Sequence, residues 1–351
     1  MIIEPLKAEH GDAIVIRFVN EDNKAIIVID GGPVSCADRI ADYYDTLGHI
    51  DLLILTHYDE DHIGGLLEYL GRHIKDKSDK IGEIWVNGAR NINFDKDENV
   101  SSYDNAYTLA SSINRMKEQG FFKSFVYNIN NSMDDVIREG YVLRILTPTS
   151  SFLEKLEKDF QQYVDEHGLA DDPDTDEQVS YGRTLKDSQK SLEALAEEKH
   201  KATTTFMNQT SISFILYAEG KSIMMLGDAD INDVEMKLKD MGYSKDNPIH
   251  LDLVKVSHHG SKGNISKEFL EIIDCNDFLF TTNGGTGGAY HPDRKTIALI
   301  KNNQDKKSSE KKTTLRFNYP LKTIMNRTTG LLSEDEQEFF EIEDSTKEIN
   351  L

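Results

Sequence analysis

Leu52–Gly65 reads LLILTHYDEDHIGG. Its first four residues are apolar and read as a short buried strand. His57, Asp59, Asp61 and His62 follow within six positions. A strand end followed by a tight turn can aim all four side chains at one point. Two imidazoles and two carboxylates at one point suit a divalent cation, and a few more ligands would hold two. Gly64 and Gly65 are expected to turn the chain closely into a helix, which the spacing of Leu66, Leu67 and Leu70 marks. The plain alternative is a polar turn that happens to be rich in His and Asp. The flanking strand and the Gly-Gly pair argue against it.

At 351 residues the chain has room for one large domain or two modest ones. Its 62 Asp and Glu against 40 Lys and Arg give a net charge of −22, a surface that repels a polyanion unless a basic groove reverses the sign. Bound divalent cations would offset part of that charge locally. Cys36 and Cys275 are too few for a disulfide framework and read as reduced cytosolic thiols. The first residues, MIIEPLKAEHGD, show no basic segment followed by an apolar run, so no signal peptide is expected. No apolar run approaches the ~20 residues that span a bilayer. The expectation is a cytoplasmic protein with no membrane association.

Upstream of the opening stretch, Ile2–Leu6, Ala13–Val19 and Ala25–Ile29 read as strands rich in Ile and Val, with a hairpin turn over Asn20–Asn23. The third ends in Asp30-Gly31-Gly32, which alone reads as a turn. Asp38–Leu47 reads as a helix. Downstream come a strand over Glu83–Asn87, a polar loop over Asn91–Asn105 and a helix over Ala106–Glu118. Pro148 stops a strand over Val142–Leu146. Ser151–Thr205 is acidic, with helical patterns in Phe152–Val164 and Leu185–Ala196 and a charged break in Asp171–Asp176. It reads as an inserted helical hairpin or cap, either a solvated lid or a dimer arm.

Strands follow over Ser211–Tyr217, Ser222–Leu226, Leu251–Ser257 and Phe278–Thr282, with helices over Ile231–Met241, Ser266–Ile273 and Asp293–Lys301. Gly227-Asp228, His258-His259 and the Gly-rich Asn283–Ala289 before His291-Pro292 lie at strand ends. Thr313–Asn318 reads as an edge strand. After Gly330 the acidic run reads as a solvated, disordered tail that Phe339-Phe340 could dock locally. The division expected is residues 1–330 as one domain, 151–205 inserted within it, and 331–351 as tail. Patterning alone says mixed α and β.

The HxDxDHIGG form of residues 57–65 resembles the HxHxDH signature of the metallo-β-lactamase fold, with Asp59 in place of the second His. More narrowly, it is similar to the hydrolase domain of ComEC-type DNA-uptake proteins in its free-standing soluble form. Further likenesses support this over roughly residues 1–150 and 206–300: Gly11-Asp12-Ala13, Asn208–Ser211, VKVSHHGS over Val254–Ser261, and TTNGGTGGAYHP over Thr281–Pro292.

The resemblance implies an α/β (α+β) four-layer αββα sandwich. It implies two divalent ions, with His57 and Asp59 on the first and Asp61 and His62 on the second. Asp228 bridges both, and Asp30 and Asp12 support ligands from behind. His259 is expected on the second ion and His258 facing the cavity, though the reverse order stays open. Asn208 stands where the fold usually has another His. Oxygen donors at Asp59 and Asn208 favour Mn²⁺ or Mg²⁺ more than an all-His site would, with Zn²⁺ close behind Mn²⁺. His291, beside a helix start, suits an anion, and Asn208, Asn283 and Ser261 are further candidate substrate contacts.

What this implies is a metallo-hydrolase in which metal-activated water attacks a phosphodiester. Asp61, His258 and His291 are the catalytic candidates, the two histidines stabilising the phosphorane or protonating the leaving oxygen. The substrate would be nucleic acid or a small nucleotide. Two rivals stand beside it. The fold could hydrolyse another small ester, a thioester or a lactam, since fold does not set substrate. Or the chain could be a non-catalytic partner protein, with residues 151–205 binding a second copy or another subunit. A basic stripe of Arg90, Lys255, Lys262 and Arg294 around the pocket would favour nucleic acid; the negative surface favours a small substrate.

Overall fold

The computed structural model describes residues 1–20, 23–74, 80–87, 113, 116, 121–156, 158, 187–202, 204–285, 290–307, 312–328 and 330–351. Among them, strands form one seven-stranded and one eight-stranded sheet, besides a two-stranded ribbon. The first sheet runs from Ile349–Asn350 through Ile2–Pro5, Ile14–Asn20, Asn23–Ile29, Ile50–Ile54 and Ile81–Trp85 to Phe122–Val126. The second runs from Glu341–Glu343 through Thr314–Phe317, Asp277–Phe280, Leu253–Lys255, Lys221–Met225, Ser213–Ala218 and Tyr141–Thr147 to Val136–Arg138.

Alternation along the strands builds three cores. Leu52 and Ile54 face inward with Ile14, Ile16, Ile27 and Trp85 and meet Phe214, Leu216, Ile223 and Leu253 of the other sheet. Leu53 and Leu55 point the other way, onto Ile40, Tyr44, Ile63, Leu66 and Leu70 of helices Ala37–Asp45 and Glu60–His73. On the far side, Met224, Val254, Phe278 and Phe317 pack under helices Ile231–Asp240, Lys267–Ile272 and Arg294–Lys307. A strand buried on both faces must be apolar throughout, which is why Leu52–Leu55 shows no polar alternation. The result is a mixed α/β sandwich, helix–sheet–sheet–helix, consistent with the fold class expected.

Several expectations need correction. Gly64 and Gly65 do not precede the helix; they lie inside helix Glu60–His73. Their missing side chains serve close packing. A Cβ on Gly64 would sit 2.4 Å from the Val34 nitrogen, and one on Gly65 2.3 Å from the Gly31 carbonyl oxygen. Asp61 and His62 are therefore first-turn helix residues.

Thr314–Phe317 is not an edge strand. It lies between Asp277–Phe280 and Glu341–Glu343, parallel to both. Nor is the acidic C-terminal segment a solvated tail. Glu341–Glu343 extends one sheet, and Ile349–Asn350 pairs antiparallel with Ile2–Pro5 in the other. Two of its carboxylates meet cations: Glu343 pairs with Arg316, and Glu336 with Arg294. Phe340 is buried; Phe339 is exposed.

Strands Phe122–Val126 and Val136–Arg138 and helix Leu321–Thr328 escaped the sequence reading. In the insert, residues 150–156 are helical, and Asp187–Gln189 and Leu192–Ala196 form a 3₁₀ turn and a short helix. The break between those two comes at Ser191, whose hydroxyl accepts from the Ala194 N–H as an N-cap. Leu192, Leu195 and Ala196 join the core under helix Arg294–Lys307. The Asp171–Asp176 break, the Asn91–Asn105 loop and most of the Ala106–Glu118 helix lie outside the described residues. Among the described residues, no helix is long and apolar enough to cross a membrane.

Parallel pairings Asn23–Ile29 with Ile50–Ile54 and Lys221–Met225 with Leu253–Lys255 put the carboxyl ends of successive strands together. Asp30, His57, Asp228 and the His258-His259 pair all follow such ends. That edge is where open α/β sheets place ligands.

Candidate metal centre

Asp30 anchors the first half of the site. Its backbone has φ +58°, a left-handed conformation that a short carboxylate side chain tolerates better than most. One carboxylate oxygen accepts the Thr56 N–H at 2.8 Å; the other accepts the Thr56 hydroxyl and faces His62 Nδ1, each at 2.8 Å. A carboxylate at Nδ1 holds the proton there and leaves Nε2 pointing forward. Thr56 Oγ1 also lies 3.0 Å from His57 Nδ1, so one hydroxyl orients a second ring. Asp59 occupies the N-cap place of helix Glu60–His73 but makes no capping bond. Its Oδ2 lies instead 3.4 Å from His57 Nε2.

The second half arrives on two tight turns. Gly227, at φ +50°, lets Asp228 follow the strand at once; a Cβ there would sit 2.4 Å from Ser211 Oγ. Ser211 Oγ accepts the Asp228 N–H at 3.0 Å. His258 and His259 both have positive φ, +48° and +54°. Two successive non-glycine residues in that region are strained, and such strain persists only where surroundings over-determine it. The turn sends both rings inward. His259 Nδ1 donates to the Thr281 carbonyl at 2.8 Å.

The two halves converge. His62 Nε2 is 3.5 Å from Asp228 Oδ2 and 3.7 Å from Asp61 Oδ1. His259 Nε2 is 3.3 Å from Asp61 Oδ2 and 3.8 Å from Asp228 Oδ2. His258 Nε2 also approaches Asp228 Oδ2, at 3.7 Å. His57, His62 and Asp228 offer ligand atoms within 4.8 Å of one another, and so do Asp61, His62 and His259.

A divalent cation fits this donor set. Among the described residues, His57 Nε2, His62 Nε2, His259 Nε2 and Asp228 Oδ1 are buried and have no hydrogen-bond partner. Buried polar atoms without partners are costly, and they belong to the two clusters that share His62. In the cation-free protein the charges lean on each other. Burial works against charge on His62 and His259, but the surrounding carboxylates outweigh it, holding His62 well above the usual histidine range and His259 at about 10. Burial likewise opposes ionisation of Asp61 and Asp228, and the imidazoles overcome it, leaving both well below the usual carboxylate range.

The other expected residues fall as follows. Asn208 touches His258, its Nδ2 3.4 Å from Nδ1, and its buried Oδ1 has no partner. His291 is buried, its Nδ1 3.5 Å from Asp293 Oδ2, its Nε2 without a hydrogen-bond partner among the described residues, and its ring centroid 5.1 Å from that of His258. Asn283 is occupied elsewhere: its Nδ2 donates to Glu9 at 2.7 Å and its Oδ1 accepts from Gly285 N–H at 3.1 Å. Ser261 is buried in the turn, its N–H donating to the His258 carbonyl. Asp12 is buried behind His259, its Oδ1 3.4 Å from Nδ1.

The basic stripe does not form from the described candidates. Lys255 is buried and paired with Asp12. Lys262 lies between Asp187 and Asp293, and Arg294 binds Glu336. Arg90 lies outside the described residues. Sequence reasoning also missed Asn264, whose Oδ1 sits 3.2 Å from His258 Nδ1 while its amide N–H groups donate to the Asp228 and Ala229 carbonyls.

Two facing sheets with helices outside are consistent with a metallo-β-lactamase sandwich, and the His and Asp residues gathered at their strand ends form clusters able to hold a metal. Residues 6–103 match the model of the metallo-beta-lactamase superfamily, whose members are mostly hydrolases. No curated protein matches the chain. Among solved structures the chain is similar to the metallo-beta-lactamase fold protein YhfI from Bacillus subtilis, at 9% identity and TM-score 0.42, over 99% of this chain and 96% of that one. It is also similar to Zn(2+)-bound PqqB from Methylobacterium extorquens, at 10% identity and TM-score 0.43, over 100% of both chains. Likeness of that order says nothing of substrate.

Proposed function

We propose that this protein is a divalent-cation-dependent phosphodiesterase acting on a substrate of nucleotide or dinucleotide size. The observation that carries the reading is the set of unpartnered buried atoms on His57, His62, His259 and Asp228, which face one another from both halves of the chain. His57, Asp59, Asp61, His62, Asp228 and His259 would hold the cations, and Mn²⁺ or Zn²⁺ suits a mixed imidazole–carboxylate set. Bound there, such cations supply Lewis acidity and bring water within reach of ionisation near neutral pH.

The chain's own contribution is to bind and to move a proton. His258, His291 and Asn208 form a wall beside Asp228. Burial pulls His258 down to about 4 against the opposing charge of Asp228, so its ring is neutral at pH 7. Asn264 Oδ1 accepts from Nδ1–H, which leaves Nε2 able to take a proton. Asn208 Nδ2 on the same nitrogen suits the opposite tautomer, in which Nε2 carries the proton and can give it up. His291, through Nε2, and Asn208 are positioned to bond a phosphoryl oxygen, while Asp293 faces His291 Nδ1. The ComEC-type motifs point to the phosphodiester bond.

Size follows from charge. A polynucleotide is held by many phosphate contacts and by counterion release. Around this site Lys255, Lys262 and Arg294 are all engaged by carboxylates, and the chain carries −22.

The test is hydrolysis of bis-p-nitrophenyl phosphate, a dinucleotide and single-stranded DNA with added Mn²⁺ or Zn²⁺, with Asp61→Ala as control. Phosphodiester turnover that disappears in the variant is expected, faster on the dinucleotide and nearly independent of salt. Unchanged turnover in Asp61→Ala discards the mechanism. DNA cleaved faster, with a steep salt dependence, discards the size limit. Turnover confined to thioesters or lactams moves the protein to another hydrolase class.

A further inference from the structure

Lys255 is a charge in an unusual place. Strand Leu253–Lys255 is paired on both sides, by Lys221–Met225 and Asp277–Phe280, and side chains alternate across it. Leu253 faces the space between the sheets, so Lys255 does too. Its side chain is 1% exposed. The ammonium meets Asp12 Oδ2, donates to the Gly227 carbonyl at 3.1 Å and lies 3.9 Å from Asp228 Oδ1.

Asp12 is as fully engaged. Its other oxygen accepts the Thr281 hydroxyl and faces His259 Nδ1. Its N–H donates to the Asp61 carbonyl at 3.1 Å, and its own carbonyl accepts the Gly32 N–H at 2.7 Å. The neighbouring Gly11 packs so closely that a Cβ would sit 1.8 Å from the Asp61 carbonyl oxygen. Through these contacts one ion pair touches Asp61, Asp228 and His259, which come from opposite ends of the chain. Asp12, Asp30 and His62 could by themselves gather around an ion. The Lys255 ammonium already stands on Asp12.

We propose that Lys255 is a positioning residue for the metal centre: its buried ammonium locks Asp12 to the Gly227–Asp228 turn and so sets the spacing between Asp61, Asp228 and His259. This rests on the cation-binding reading of the site. A buried ion pair of this kind need not add stability. Its value here is geometric. It ties a first-half loop to two second-half turns at the point where the ligands of both must agree.

The test is the paired variant Asp12→Asn/Lys255→Met. It removes both charges together, leaves neither partner as an unpaired ion and keeps the net charge of the pocket constant. Binding of Co²⁺ is followed by its visible absorption and by calorimetry, and the thermal midpoint of the cation-free protein is read alongside. The expected result is a folded protein that binds Co²⁺ at least about ten-fold more weakly, as loss of groups that orient ligands commonly costs, with an altered visible spectrum. Parental affinities and spectrum in the paired variant overturn the proposal and leave Lys255 a structural ion pair. Should that variant fail to fold, Thr281→Val removes only one bond to Asp12 and is read on the same titration. Weakened binding supports the role, and unchanged binding refutes it. A parent protein that takes up no Co²⁺ sinks the cation reading itself, and this role with it.

Discussion

Asp30 shows how much one side chain does here. It has no outward task, yet it orients His62 directly and His57 through Thr56. Asp30→Asn would keep the shape and lose the charge that holds the His62 proton on Nδ1. Cation binding is expected to weaken by about 10- to 100-fold, measured by calorimetric titration. Unchanged affinity would mean that the ring is held by packing alone. The candidate ligands His57, Asp59, Asp61 and His62 could be picked out in sequence because they sit close together on the chain. The residues that aim them were less legible. Lys255 reads as one base of a stripe around the pocket, and Asn264 carries no signal, until the fold brings Asp12 and His258 to them. Cys36 makes a separate point. Burial raises its thiol to about 11, with nearby Arg39 opposing and Glu9 adding to the rise. Since the thiolate is the reactive form, alkylation by iodoacetamide at pH 8 should be slow and should speed up as pH climbs toward 11. Rapid alkylation at pH 7 would contradict this burial.

Helix Glu60–His73 is the element on which the first half of the site turns, and its glycines divide into two kinds. Gly64 and Gly65 pack against the backbone of residues 31–34; Gly71 faces open space. Gly64→Ala or Gly65→Ala should cost about 1–3 kcal/mol, as overpacked cores do. The shift would also move Asp61 and His62, so metal affinity should fall with stability. Gly71→Ala should instead stabilise by about 0.5–1 kcal/mol through backbone entropy. Urea unfolding of the three variants checks both signs. Equal effects at all three would mean that the helix does not sit this close to the Gly31–Val34 turn. The strands of both halves could be read from apolar runs, because burial on two faces demands them. The start of this helix could not. Gly-Gly usually signals a turn, and only the neighbouring backbone shows that here it signals contact.

Across the whole molecule, the two sheets share a closing element that local patterning hid. Glu341–Glu343 completes one sheet and Ile349–Asn350 the other. Removing residues 341–351 should therefore destabilise the entire sandwich and lower the midpoint of a single thermal transition. A truncated chain melting at the parental temperature would return the segment to the role of a tail. Cation removal should act at the same scale, because the candidate ligands come from both halves. At a cation concentration of 100 Kd, binding should add about 2.7 kcal/mol. A chelator should therefore lower the melting temperature, and added Mn²⁺ or Zn²⁺ should restore it.

By itself the sequence determined the kinds of residue at the strand ends, the apolar runs that must be buried, and an order of His and Asp motifs that fits one family of sandwiches. These are local properties, carried by spacing along the chain. Only the tertiary structure decided where charges far apart in sequence find each other: Lys255 on Asp12, Glu343 on Arg316, His259 against Asp61. It also turned a C-terminal segment that looks like a solvated tail into a strand in each sheet, with most of its acids still facing water. The reason is physical. Whether a charged residue stays in water or is buried depends on the partner it meets after folding, and nothing in its own neighbourhood of the chain names that partner.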